Sequence, residues 1–92
     1  MDKIDVLVFE PNKECYFKKI DNTLEAMQEV VGGYIECLTM KSGLDDGTDL
    51  VLICDEEGKL KGKPLTGLMV GNDTIVGTAF ICKAKDDEFV SL

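Results

Sequence analysis

Apolar residues fall along the chain in short runs whose spacing changes from one run to the next. Ile4 to Phe9 is a β-rich run closed by Glu10-Pro11-Asn12, where proline and asparagine favour a turn and end a first strand. Residues 14–20 read as a second strand, with Tyr16, Lys18 and Ile20 on one face and Cys15, Phe17 and Lys19 on the other. The short turn between the two predicts a hairpin. Asp21-Asn22-Thr23 then marks a helix start, with Asn22 as N-cap and Glu25 three positions later approximating a capping box. Leu24, Met27 and Val31 recur at helical spacing, with Val30 beside them, while Glu25, Gln28 and Glu29 face away. The pattern predicts one amphipathic helix of about ten residues whose apolar stripe, Met27 included, is core. Gly32-Gly33 stops it, because glycine accepts the left-handed conformation found just past helix ends.

Beyond the helix, Tyr34 to Met40 predicts a third strand and Lys41 to Gly47 a loop. Asp49 to Asp55 has an unbroken apolar centre, the pattern of a strand covered on both faces. Asp55-Glu56-Glu57-Gly58-Lys59 is a polar turn. Leu60 to Asn72 holds three glycines and Pro64 and reads as irregular, with a single helical turn at Leu65 to Met69. Thr74 to Lys83 is the last clear strand, and Phe89-Val90 adds a short edge piece. The expected fold is a small α+β single domain over residues 1–92, mainly an antiparallel sheet of about five strands with one helix, in the order β-β-α-β-β-β. The strand order within the sheet is not readable from this pattern.

Composition narrows the chemistry. The 92 residues contain neither histidine nor arginine, and 18 acidic residues against 10 lysines give a net charge of −8. Without histidine there is no imidazole general base, no Ser-His or Cys-His pair and no imidazole metal ligand. Without arginine there is no planar fork for bidentate grip on phosphate or a guanine edge. An acidic surface repels nucleic acid, so no direct nucleic-acid binding is expected. The longest apolar runs are far too short to span a membrane, and the opening Met1-Asp2-Lys3 does not resemble a signal peptide, so the expectation is a cytoplasmic protein. Cys15, Cys37, Cys54 and Cys82 are too widely spaced for a zinc knuckle or a redox pair and read as reduced, small hydrophobic residues. Asp45-Asp46-Gly47-Thr48-Asp49 lacks the later glutamate of a calcium loop, since position 53 is Ile. Gly58 to Pro64 fails the Walker pattern, because Pro64 stands where the magnesium-binding hydroxyl would be. No metal, no cofactor and no catalytic residue are expected, and the protein reads as not an enzyme.

Two candidate contact sites remain. Lys59, Lys61 and Lys63 place three lysines within five positions and would share one face if that segment were extended, which makes them possible anion contacts. Glu56 and Glu57, in the adjoining turn, are the possible contact for a basic protein partner.

Three segments also carry a resemblance. Asn22 to Glu36, with its Gly32-Gly33-Tyr34-Ile35-Glu36 ending, Cys54 to Leu60, and Ile75 to Ile81 together resemble the family known as domain of unknown function 3846, as does the closing Asp87 to Leu92. The resemblance implies a small protein of bacteria, phages or mobile elements, and it brings no catalytic or binding residues with it. The leading expectation is therefore a non-enzymatic accessory protein that binds a protein partner and interferes with host or defence functions. Two alternatives are a protein that sequesters an anionic small molecule such as a nucleotide signal, and an acidic DNA mimic.

Overall fold

A computed structural model of the chain describes residues 2–92. Strand β1 (Lys3–Phe9) turns back into β2 (Tyr16–Asp21), and helix α1 (Leu24–Val31) leads to β3 (Ile35–Lys41) and β4 (Asp49–Asp55). Next come β5 (Leu65–Val70), β6 (Asp73–Val76), β7 (Ala79–Lys85) and β8 (Glu88–Val90). The main sheet is antiparallel in the order β2-β1-β7-β4-β3, with β8 paired to β7, while β5 and β6 form a separate hairpin. The α+β class holds, with eight strands where the sequence pattern predicts about five.

Strict alternation along the central strands builds two cores. Val6 and Val8 of β1, Val51 and Ile53 of β4, and Phe80 and Cys82 of β7 point to one face, where Met27 and Val31 of α1 cover them. Leu52 and Cys54 of β4 and Ile81 of β7 point to the other face, against Ile75 of β6 and Leu68 and Val70 of β5. Helix on one side and hairpin on the other explain the unbroken apolar centre of β4, since both of its faces are buried.

Four expectations are corrected. Thr23, not Asn22, caps α1: its backbone is extended and its hydroxyl accepts the Ala26 N–H, whereas the Asn22 amide donates to the Phe89 carbonyl at 3.0 Å. With Ala26 at the third helical position, no capping box forms. The helix has eight residues, and Leu24, at its first turn, is 54% exposed rather than core. The stretch from Leu65 to Met69 is a strand and not a helical turn; its register breaks between Leu65 and Met69, where Gly67 takes a φ of +96°. Finally, Thr74 to Lys83 is two strands in two different sheets. Gly77, at φ +73°, provides the bend that lets the chain leave the hairpin and enter the main sheet.

Candidate functional site

The doubly covered strand β4 ends by carrying a carboxylate into the interior. Asp55 is the one buried charged residue among those described, its side chain 0% exposed. Lys63 Nζ lies 2.6 Å and Lys61 Nζ 2.8 Å from its Oδ2, and the Glu57 backbone N–H donates to Oδ1 at 2.9 Å. The same two ammonium groups also donate to the end of the helix, Lys63 to the Val31 carbonyl at 2.9 Å and Lys61 to the Gly32 carbonyl at 3.2 Å. Helix α1 has no basic residue in its own last turn, so these lysines supply the positive charge that its C-terminus favours. Burial pushes the Asp55 carboxyl up, but the hydrogen bonds from Lys61, Lys63 and the Glu57 N–H outweigh it and hold the group at about 2.

The local backbone explains why the lysines converge. Gly58 N–H donates to Asp55 O at 3.1 Å, Lys61 N–H to Glu57 O at 2.9 Å and Lys63 N–H to Gly58 O at 3.0 Å. These bonds coil residues 55–63, so the extended geometry that would have set three lysines on one outward face is not adopted. Lys61 and Lys63 turn inward to Asp55. Lys59 remains outside, its Nζ 3.7 Å from Asp73 Oδ1, with both side chains more than half exposed. Asp55 likewise leaves the acidic surface cluster of the turn, and only Glu56 and Glu57 stay exposed. Leu60, in the same turn, is 85% exposed, the highest figure among the large hydrophobic residues described.

Close packing around Asp55 depends on small neighbours. A Cβ at Gly33 would lie 2.6 Å from Lys61 Nζ and 2.7 Å from Asp55 Oδ1, and one at Gly77 would meet Lys63 Cδ at 2.7 Å. Gly33, Asp55 and Gly77 come from the three separate segments that carry the family resemblance, and the fold brings all three to one place.

Beside this cluster lies a cleft of about 190 Å³ between the β3–β4 end of the sheet and β6. Leu38, Cys54 and Ile75 belong to the hairpin-side core and form its inner wall. Glu36, Glu56, Lys59 and Asp73 are exposed and form its mouth. Cys54 Sγ–H points to Glu36 Oε1 at 3.8 Å. Burial pushes this thiol up, and the Glu36 charge adds to it, to about 11, so Cys54 is a protonated donor rather than a thiolate nucleophile. All four cysteines are free thiols; Cys82 is likewise buried, whereas Cys15 and Cys37 are exposed, so two of the four pack as the small hydrophobic residues that the sequence predicts. Among the described residues no group of three histidine, cysteine or acidic side chains is placed to hold a metal ion.

The second acidic turn, at the far end of β4, is internally paired. Lys83 Nζ lies 2.9 Å from Asp46 Oδ2, and the Thr48 hydroxyl and N–H both donate to Asp46 Oδ1. The Thr48 hydroxyl, followed by Lys83, holds the Asp46 carboxyl below the usual carboxylate range.

The burial of Asp55 and the outward position of Leu60 are not marked by any motif. One signal was available: Asp55 directly follows the continuous apolar run Leu50 to Cys54, so it stands at the mouth of a strand buried on both faces.

The architecture defines a small α+β domain in which one antiparallel sheet is covered by a helix on one face and a β-hairpin on the other. Residues 3–92 match the family described as Domain of unknown function (DUF3846), and the chain belongs to that family. No curated protein and no solved structure matches it. No helix among the described residues is long and apolar enough to cross a membrane.

Proposed function

We propose that this is a non-enzymatic binding protein that engages a protein partner through the turn bearing Glu56, Glu57 and Leu60. The observation that carries the reading is the way charge is distributed over that turn. Lys61 and Lys63 direct their charge inward to Asp55 and the helix carbonyls, so the outward surface offers the Glu56 and Glu57 carboxylates and the Lys59 ammonium beside an 85% exposed leucine. An apolar anchor ringed by charge is the composition of a protein-binding patch. The ion pairs beneath it fix the turn in advance, which lowers the ordering cost of association.

The same ion pairs weigh against the anion-sequestering alternative, because two of its three lysines already have a buried counterion. The DNA-mimic alternative needs one continuous acidic face. Here the acidic turns sit at opposite ends of β4, about 20 Å apart for a seven-residue strand. The reading places the protein in the cytoplasm, and an accessory role in a phage or mobile element is the setting that the family likeness suggests.

The test is affinity capture with the immobilised protein at low and moderate salt, comparing the parent with three variants. Glu56→Gln with Glu57→Gln, and separately Leu60→Ser, should lose a protein that the parent retains, and the double variant should also flatten the salt dependence. Asp45→Asn with Asp46→Asn should retain it. Recovery of the same proteins by parent and all variants would overturn the assignment of this turn.

A further inference from the structure

We infer that the cleft beside the turn receives a single cationic side chain, lysine or arginine, from that protein partner. The inference rests on the binding reading above and adds to it the chemistry of the group recognised.

Three features of the cleft point to such a guest. Its volume of about 190 Å³ is below the roughly 300–1,000 Å³ typical of pockets for whole small ligands, and it suits one extended side chain. The inner wall of Leu38, Cys54 and Ile75 is apolar and can cover an alkyl stem, while the exposed charged side chains Glu36, Glu56, Lys59 and Asp73 stand at the mouth. Lysine and arginine side chains have this division, an aliphatic stem and a cationic head that stays near water. The sign of the mouth is negative, since Glu36, Glu56 and Asp73 face a single lysine, Lys59. Asp55 also borders the cleft, but its charge is already matched by Lys61 and Lys63.

Lys59 gives the inference its sharpest consequence. Its ammonium sits 3.7 Å from Asp73 with both side chains more than 60% exposed, a pairing that stabilises little and is readily exchanged. Lys59 thus holds the place that an incoming cation would take. Removing its charge should strengthen binding of a cation at the cleft, whereas an anion site that used Lys59 would be weakened by the same change.

The experiment is an NMR titration of the isolated full chain with n-butylammonium and with n-butylguanidinium at fixed ionic strength. Inorganic phosphate and n-butanol serve as controls for charge sign and for the stem alone. Saturable shifts in the millimolar range are expected at Cys54, Ile75 and Val76 with one or both cations, and not with phosphate or butanol. Lys59→Gln should tighten the cation about threefold, and Glu36→Gln combined with Asp73→Asn should weaken it by at least as much. All three side chains are exposed, so these variants keep the fold. Shifts that do not saturate, saturation by phosphate, or weaker cation binding in Lys59→Gln would overturn the inference. Because the probe is a small cation, that result is independent of partner capture. A cleft that fails here while capture still depends on Glu56, Glu57 and Leu60 removes this inference alone, and the reverse pattern removes only the assignment of the turn.

Discussion

Gly33 and Asp55, twenty-two positions apart in sequence, approach so closely that a single methyl group on the glycine would strike the carboxylate. The distance from that methyl position to Asp55 Oδ1 would be 2.7 Å, and to Lys61 Nζ 2.6 Å. Gly33→Ala should therefore destabilise the protein by about 2 kcal/mol through overpacking, read as a lower urea midpoint. Gly43→Ala is the control: it meets nothing within 4 Å and carries only the cost of a left-handed φ of +67°, about 1 kcal/mol. Equal midpoints for the two variants would show that the Gly33–Asp55 approach is unimportant.

Acid should loosen the same cluster. The Asp55 carboxyl is held at about 2 in the folded chain against 3.8 for the unperturbed group. A depressed folded value means that the stabilisation is complete above the unfolded value and is lost as pH falls towards the folded one. Stability should thus fall between about pH 4 and pH 2. Asp55→Asn should remove part of that fall while lowering stability at neutral pH by about 2–3 kcal/mol, because Lys61 and Lys63 lose their buried counterion. Urea midpoints measured across the acid range test both halves. A variant with the parent's full acid dependence would exclude Asp55 as its source.

The position of the helix cap is open to direct measurement. Thr23→Ala removes the acceptor for the Ala26 N–H and should cost about 1 kcal/mol. Asn22→Ala removes an exposed hydrogen bond to Phe89 O and should cost about 0.5 kcal/mol. The reverse ranking would restore Asn22 as the capping residue.

Thiol labelling should divide the cysteines into two pairs. Cys15 and Cys37 are exposed, although partial burial also pushes the Cys37 thiol up, whereas Cys54 and Cys82 are buried, which pushes their thiols up to about 11 and about 12. A thiol reagent at neutral pH should modify two cysteines rapidly in the folded protein and all four in denaturant. Rapid modification of Cys54 in the folded state, located by mass spectrometry, would contradict the closed inner wall of the cleft.

What could be read from sequence follows the reach of each signal. Alternation and unbroken apolar runs revealed β1 and β4, because burial of a strand face imprints directly on neighbouring residues, whereas β2, buried only at Ile20, was marked by the Pro11-Asn12 turn before it and its β-prone residues. Gly32 marked the helix end for an equally local reason, its left-handed φ of +80°. The β5–β6 hairpin was hidden because its turns and its register break use glycine, which in sequence looks like disorder of the pattern rather than part of a strand. The site was hidden for a different reason. Whether Lys61 and Lys63 face a ligand or face Asp55 depends on the coiling of residues 55–63 and on a helix end some thirty positions earlier. Spacing alone showed that the lysines were close together, but not what they were close to.

The place of β7 in the sheet has a consequence for how the protein is made. Residues 79–85 lie between β1 and β4, so the β1–β2 and β3–β4 hairpins have no strand joining them until that segment has left the ribosome. Until then each hairpin exposes an unpaired inner edge and an apolar face, the features that recruit chaperones or stray chains. Synthesis on the ribosome should accordingly yield a nascent chain that stays sensitive to protease until β7 emerges and then gains resistance in one step, since that strand completes the long-range pairing of the whole sheet.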